Sequence, residues 1–255
     1  PRHRRNDQNP SEDCREVCRG QGREGRDRQL RINSFPLKAP AFAGRFFCIL
    51  MEAKTKIAIV GCGAVGIYYG GKLCQVGRNV HFLLRSDYEV VREKGVQIQS
   101  LNGDFHIRPV AAQSPGEIGP CDLVIVALKS TANHCLGELL TPLVRKHTAL
   151  LTLQNGLGNE TELAKLFPTQ PIFGGMCFVC LNRIAPGVVQ HLAHGKVVMA
   201  LHGGSPDALT TEIADLIRST GIPVDVSTDL EKAHWEKLVW NIPFNGLGVA
   251  GAAGL

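Results

Sequence analysis

Three polar side chains near the end of the sequence have a spacing that could support chemistry. In HWEKLVWNIPFN, residues 234 to 245, Lys237, Asn241 and Asn245 are four residues apart. If the segment is helical, they share one face. An ammonium can stabilise negative charge on an oxygen and then donate a proton, while carboxamides form hydrogen bonds without adding charge. Pro243 removes a backbone hydrogen bond, so a kink is expected and the position of Asn245 depends on it.

A glycine-rich segment has the spacing of a phosphate-binding turn. GCGAVG, residues 61 to 66, follows the strand-like run KIAIV and opens a helical pattern. Gly61 would allow the tight bend, Gly63 would let the backbone approach a pyrophosphate, and Gly66 would let the helix pack closely on the strand. The N-terminus of the helix attracts the anion. Because a βαβ pattern surrounds the motif, it predicts a dinucleotide site rather than a merely tight turn.

The end of the second strand bears on the choice of cofactor. NAD sites usually carry an acidic residue there for the ribose hydroxyls, whereas this strand ends in Arg85 and Ser86. A guanidinium suits a 2′-phosphate, so NADP is the expected cofactor. Asp87 is the competing candidate, because a longer strand would give it the acidic role and leave Arg85 as an ordinary surface charge.

The other segments alternate between strand and helix patterns. The nearly continuous apolar runs at 121–129 and 148–154 are typical of buried parallel strands. This alternation predicts a Rossmann-type, doubly wound α/β sheet. The remaining expected elements are a helix at 64–77, a strand at 79–85, a hairpin of strands 96–100 and 104–110 around Asn102-Gly103, short strands after 171 with turns at Pro186-Gly187 and His194-Gly195, a helix at 206–220, a strand at 222–226 and a closing helix.

The net charge of +5 comes entirely from the beginning of the chain. Of its 28 basic and 23 acidic residues, 11 and 6 lie within the first 50 positions, which leaves 17 of each for the rest. Residues 1–52 are therefore expected to form a disordered basic extension. No motif of basic and aromatic residues accompanies the charge, so no nucleic-acid partner is expected.

Several features bear on location and on metals. Met51 precedes the first strand, so residues 1–50 would be a targeting segment, an unrelated extension or a poorly defined gene start. Their acidic residues argue against a transit peptide.

Nine cysteines, mostly within apolar runs, suit a reducing compartment such as the cytoplasm. The single CxxC, Cys177 to Cys180, would need two further zinc ligands. His191 and His194 are candidates by composition, but nothing else in the pattern indicates a metal. No run approaches the roughly 20 residues of a membrane helix. Neither a metal site nor a membrane span is expected.

In this order, the motifs GCGAVG, ALKS, LQNGLGNE, PGVVQH and EKLVWNIPFN resemble the ketopantoate reductase family from about Lys56 onwards. The most specific are QNGLGNE and the KxxxNxxxN row. The resemblance implies an N-terminal Rossmann domain and a mostly helical C-terminal domain, with the active site between them. It also implies that NADPH reduces the ketone of 2-dehydropantoate to (R)-pantoate, a step towards pantothenate and coenzyme A.

The same resemblance implies roles for single residues. Lys237 matches the catalytic lysine, and Asn155 matches the asparagine that lies close to both nicotinamide and substrate. The implied cofactor-binding set is Gly61, Cys62, Gly63, Ala64, Val65, Gly66, Arg85, Lys129 and Asn155, and the implied substrate-binding set is Asn155, Lys237, Asn241 and Asn245.

The sequence departs from the family pattern at its end. Family members carry a catalytic glutamate and a substrate-contacting serine within the helical second domain, and this sequence stops before either. We therefore expect a C-terminally truncated member with an NADP-binding domain at 53–228 and only the first helix of the helical substrate and dimerisation domain at 229–255. That helix should expose an apolar face, and a homodimer is expected only with the whole domain. The alternatives are a non-catalytic NADP-binding protein and an opine or glycerol-3-phosphate type dehydrogenase.

Overall fold

The computed structural model describes residues 54 to 252, without the side chains of residues 245, 246 and 249. The basic extension expected over 1–52 lies outside the described residues. No helix within the described range is long and apolar enough to cross a lipid bilayer.

The described residues form one mixed β-sheet. The strands are β1 (Lys56–Val60), β2 (Asn79–Leu83), β3 (Val96–Ser100), β4 (Phe105–Ile107), β5 (Val110–Ala112), β6 (Leu123–Val126), β7 (Ala149–Thr152), β8 (Ile172–Ala185), β9 (Val188–Leu201) and β10 (Val224–Val226). Their order in the sheet is β4-β3-β9-β8-β7-β6-β1-β2-β5, and β10 pairs with β9. Strands from β5 to β8 along this path are parallel, whereas β9 is antiparallel to β8.

Helices cover both faces of this sheet. The α-helices are α1 (Ala64–Gln75), α2 (Tyr88–Lys94), α3 (Pro115–Ile118), α4 (Leu136–Leu140), α5 (Asn159–Leu166), α6 (Ala208–Arg218) and α7 (Leu230–Ala252), with short 3-10 turns at Ser130–Cys135 and Thr141–Leu143.

The core has two layers because side chains of a strand alternate between its faces. In β1, Ile57 and Ile59 pack in the layer covered by α1 and α6. Ala58 and Val60 pack in the other layer, which α3, α4 and α5 cover. This arrangement confirms the doubly wound α/β prediction.

The order of the strands reverses between β1 and β6. From β1 the chain continues to β2 on one side, whereas β6, β7 and β8 extend the sheet on the other. Open α/β sheets bind ligands beyond the carboxyl ends of the strands at such a switch point. The segments after β1, β6 and β7 carry the turn at 61–66, Lys129 and Asn155, so the fold brings all three predicted features to one edge.

The expected turn at His194-Gly195 is wrong. Both residues have positive φ, 65° and 131°, but they form a bulge inside the 14-residue strand β9. The pairing of β8 with β9 shifts there, since Phe178 pairs with Lys196 and Val179 pairs with His194. The hydroxyl of Tyr69 donates to the Gly195 carbonyl over 3.0 Å, which ties the bulge to α1. The turn expected at Pro186-Gly187 is confirmed.

The predicted hairpin is confirmed around Asn102-Gly103, where β3 pairs antiparallel with β4. The single strand expected over 104–110 is wrong, because it divides into β4 and the start of β5, and β5 joins β2 at the opposite end of the sheet. Pro109 lies between them and has no N–H to donate to a strand ladder, which accounts for the break.

The closing helix α7 runs from Leu230 through Pro243 to Ala252 without interruption. Its N-terminus is capped by Asp229, whose carboxylate accepts from the backbone N–H of Lys232 over 2.9 Å. Several large apolar side chains of α7 are exposed, as expected. They are Trp235, Val239, Trp240, Ile242, Phe244 and Leu247.

Candidate active site

The glycine turn is shaped by close backbone contacts. Gly61 has a φ of 102°, and a Cβ there would lie 2.4 Å from the backbone nitrogen of Leu128. A Cβ on Gly66 would lie 2.2 Å from the Gly61 carbonyl oxygen. Since side chains cannot fit at either position, these two glycines let α1 and the segment after β6 pack against the turn.

Gly63 differs from the other two glycines, because nothing lies within 4 Å of the position its Cβ would take. It is exposed and is the N-cap of α1. The first N–H groups of a helix have no partner within the helix, and they carry its positive dipole end. The open space at Gly63 and these N–H groups together fit a phosphate group.

Asp87 is engaged elsewhere in the fold, which bears directly on the cofactor. Its carboxylate is buried, forms an ion pair with the Arg183 guanidinium, and accepts from the backbone N–H of Gly187 over 3.0 Å. Ser86 donates to it as well. Arg85 is exposed just beyond β2. The competing acidic role for Asp87 is therefore not supported, because its oxygens already have partners in β8 and in the turn that follows it.

Lys129 and Asn155 follow neighbouring parallel strands. Lys129 is exposed and is the N-cap of the 3-10 turn after β6. Asn155 is also exposed and follows β7. The loop after Asn155 turns sharply, because Gly156 and Gly158 have φ values of 103° and 87°.

Lys237 contacts Asn155 directly, although 82 residues separate them. Its Nζ donates to the Asn155 Oδ1 over 2.7 Å and lies 6.0 Å from the centroid of the Phe178 ring. Burial lowers the pKa of Lys237 below its ordinary value, and the nearby Cys177 opposes this shift. The contact joins α7 to the edge that carries the glycine turn.

The cleft at this contact includes one of the two predicted amides. Asn241 lies one turn after Lys237 on α7, and both line the cleft together with Gln154, Asn155, Gly156, Met176, His234 and Leu238. Asn245 is within the helix, but its side chain lies outside the described residues.

The loop at 154–158 is held by amides that sequence reasoning missed. Gln154 donates to the Asn133 side chain over 2.8 Å, Asn133 donates to Asn159 over 2.9 Å, and Asn159 donates back to the Asn155 carbonyl over 3.3 Å. Gln154 and Asn159 belong to the quoted QNGLGNE motif, so their residue types were visible in the sequence. Their partner Asn133 had no local signal.

A buried pair of side chains beside the cleft was also missed. His234 Nε2 and Glu160 Oε1 are 3.0 Å apart, and the two residues are 7% and 4% exposed. The spacing of 234, 237 and 241 on α7 is the signal that could have identified His234, because i, i+3 and i+7 share a helix face.

Cys62, Cys177 and His191 have structural environments. Burial raises the pKa of Cys177 to about 11, and it raises the pKa of Cys62 in the glycine turn as well. His191 is buried, contacts Ser100 and the His194 carbonyl, and packs on Tyr68. Among residues 54 to 252, no cluster of three His, Cys, Asp or Glu side chains could hold a metal ion.

Comparison with known proteins gives consistent matches. A family profile described as Ketopantoate reductase PanE/ApbA matches residues 57–204. A 2-dehydropantoate 2-reductase of Nostoc sp. is 44% identical over 202 residues, which cover 77% of this chain and 63% of that protein. The crystal structure of 2-dehydropantoate 2-reductase from Geobacter metallireducens is 49% identical with a TM-score of 0.73, and the match covers 75% of this chain and 64% of that one.

A more distant solved structure is a ternary structure of D-mandelate dehydrogenase with NADH and anilino(oxo)acetate. It is 25% identical with a TM-score of 0.70, and the match covers 76% of this chain and 63% of that one. The chain therefore spans less than two thirds of the length of each of these relatives.

Proposed function

The chain belongs to the ketopantoate reductase family, and from this we propose that it carries the cofactor site and the proton donor of an NADPH-dependent 2-dehydropantoate 2-reductase. The product would be pantoate, and the substrate partner a small 2-oxo acid. The family matches favour this assignment over the opine and glycerol-3-phosphate dehydrogenase types.

The residues at the switch point fit a nicotinamide dinucleotide phosphate. The N-terminus of α1 and the open side of Gly63 would hold the pyrophosphate. Arg85 would pair with a 2′-phosphate, and Asp87 would not compete, since Arg183 holds its carboxylate. Lys129 and Asn155, at the ends of the next strands, would contact the rest of the cofactor. When bound, the cofactor supplies the hydride.

Lys237 would then act on the carbonyl oxygen of the substrate. Negative charge develops on that oxygen as the ketone is reduced, and an ammonium within hydrogen-bond reach stabilises it. The same ammonium can donate the proton that completes the hydroxyl. Because burial lowers the pKa of Lys237, its proton is easier to transfer than that of an ordinary surface lysine.

Asn155, Asn241 and Asn245 would hold the substrate. Carboxamides can donate to a carboxylate and can either donate to or accept from a hydroxyl. Asn155 would orient the ammonium as well, since its Oδ1 already accepts from Lys237. Lys237, Asn155 and Asn241 line one cleft, which would bring these three groups to the same substrate.

The observation that carries this proposal is the 2.7 Å contact between Lys237 Nζ and Asn155 Oδ1. It joins the KxxxNxxxN helix to the loop at the end of β7, which lies on the same sheet edge as the glycine turn. A proton donor and a cofactor site must share one edge for a hydride and a proton to reach the same carbonyl group.

The test is NADPH oxidation in the presence of 2-dehydropantoate, with Lys237→Ala compared with Lys232→Ala. Lys232 is an exposed lysine on the same helix. We expect Lys237→Ala to lower kcat/KM by about 100- to 10,000-fold and Lys232→Ala to leave it unchanged. Turnover that survives Lys237→Ala would contradict the role of Lys237.

The same assay separates two other functions. The similarity to D-mandelate dehydrogenase makes a bulkier aromatic 2-oxo acid the second substrate to test. Faster turnover of that acid would overturn the assignment of 2-dehydropantoate and keep the reaction type. NADPH binding without turnover of either acid would support a non-catalytic binding protein instead.

A further inference from the structure

The pair formed by Glu160 and His234 joins two elements that are distant in sequence. Glu160 lies in the first turn of α5 and His234 lies in the second turn of α7, 74 residues later. Their contact of 3.0 Å is buried. Buried polar groups require partners, because an unpaired one loses its hydration without compensation.

A glycine on β8 makes room for this pair. A Cβ on Gly174 would lie 2.6 Å from Glu160 Oε1 and 2.6 Å from a methyl group of Leu230. The absence of a side chain at Gly174 therefore creates a niche that accepts both the carboxylate of α5 and the first residue of α7. The first residue of α7, Leu230, therefore packs against the sheet at Gly174.

Each member of the pair lies close in sequence to one partner of the Lys237–Asn155 contact. His234 is three residues before Lys237, so the two share a face of α7, and both line the same cleft. Glu160 follows Asn155 by five residues, directly after the sharply turned loop. A bond between Glu160 and His234 thus holds the two segments whose side chains meet in the cleft.

The rest of α7 offers little to fix Lys237. Beyond the cleft the described side chains of the helix include exposed Val239, Ile242 and Phe244. A helix with so much exposed apolar surface is held by what lies on its other face. On that face Ala233 and His234 are buried and Lys237 is half-buried.

We infer that Glu160 and His234 are positioning residues that keep the ammonium of Lys237 against Asn155. In its catalytic meaning this inference rests on the proposed function, whereas the geometry it describes does not. The two side chains are hydrogen-bonded to each other, so their proposed action is on Lys237 and not on substrate or cofactor. They act by fixing the distance between the helix and the loop, to which proton transfer and charge stabilisation are sensitive.

The first test measures geometry without any substrate. Trace acetylation of lysines across a range of pH, read by mass spectrometry, gives the pKa of Lys237, with the exposed Lys146 as the internal reference. The variants are Glu160→Leu and His234→Leu, their conservative counterparts Glu160→Gln and His234→Gln, and the control Glu162→Leu on the exposed face of α5.

We expect both leucine variants to move the pKa of Lys237 back towards its ordinary value of 10.5, because the ammonium leaves its half-buried place. The glutamine variants retain a hydrogen bond between the two positions, so the pKa of Lys237 in them should stay close to that in the unmodified chain. The same result is expected for Glu162→Leu. An unchanged pKa of Lys237 in both leucine variants, or an equal shift in the Glu162→Leu control, would overturn the inference.

The second test uses turnover and binding together. NADPH affinity, read by fluorescence, serves as a folding check for each variant, because the glycine turn lies outside this pair. We expect the leucine variants to lower kcat by about 10- to 100-fold with little change in the KM for NADPH, and the glutamine variants to restore most of it. Loss of NADPH affinity in parallel with kcat would indicate a general structural role and contradict positioning.

If neither the unmodified chain nor any variant turns over the keto acid, the proposed function fails. The labelling test still decides the inference about Glu160 and His234 in that case.

Discussion

The turn at residues 61–66 is held by backbone contacts between neighbouring strands, whereas Lys237 is held by side chains that meet across long sequence distances. Gly61 and Gly66 pack so tightly that neither position accepts a methyl group. Lys237 depends on one hydrogen bond to Asn155 and on a helix whose outer face is apolar and exposed. The proposed cofactor site is therefore fixed by the backbone of the sheet, whereas the position of the proposed proton donor depends on side-chain contacts between α7 and the sheet.

The largest effect on NADPH affinity should come from the tightly packed glycine turn. Gly66→Ala would put a methyl group 2.2 Å from the Gly61 carbonyl oxygen, so the backbone must move. We expect a loss of about 1–3 kcal/mol in the free energy of unfolding and a loss of NADPH affinity of about 100-fold or more. Thermal melting measures the loss of stability, and a fluorescence titration measures the loss of NADPH affinity.

Gly63→Ala is the matched control within the same turn. Nothing lies within 4 Å of its added methyl group, so the melting temperature should not change. NADPH affinity should still fall by about 10-fold, because the methyl group occupies the space where the backbone approaches a pyrophosphate. If the two alanine variants melt alike, the distinction between a packing glycine and a ligand-facing glycine is wrong.

A smaller loss of NADPH affinity than that of Gly66→Ala is expected at Arg85, which lies just beyond β2. Arg85→Ala should weaken NADPH binding by about 10- to 100-fold, since a charge-assisted hydrogen bond contributes about 1.5–3 kcal/mol, and should leave NADH binding nearly unchanged. Arg92→Ala is the control, because Arg92 is an exposed arginine paired with Glu89. Equal losses for both cofactors would show that Arg85 does not read the 2′-phosphate.

The contrast between local backbone contacts and distant side-chain contacts also explains which parts of the site can be predicted from the sequence. The glycine turn and its βαβ setting are local patterns, and so is the spacing of Lys237 and Asn241 on one helix. The sheet edge that gathers the turn, Lys129 and Asn155 follows from the expected order of parallel strands. The turn and the helix row were predictable because each depends on residues close together in the chain, and the shared edge was predictable because it needs only the order of the parallel strands.

Features that depend on distant partners were not predictable. The engagement of Asp87 by Arg183, 96 residues away, removes a competing role that the sequence left open. Glycine is typical of turns as well as of bulges, so the sequence predicts a turn at His194-Gly195 where the structure has a bulge within β9. The Glu160–His234 contact had no local pattern linking its two members.

The proposed role of Lys237 as proton donor predicts a specific dependence of kcat/KM on pH. A donor must be protonated, so activity should fall as the pH rises through the pKa of Lys237. Because burial lowers that pKa, the fall should begin below 10.5. In Lys237→Arg the guanidinium stays protonated, so a slower enzyme without this alkaline fall is predicted. An identical alkaline fall in both proteins would show that Lys237 is not the proton donor.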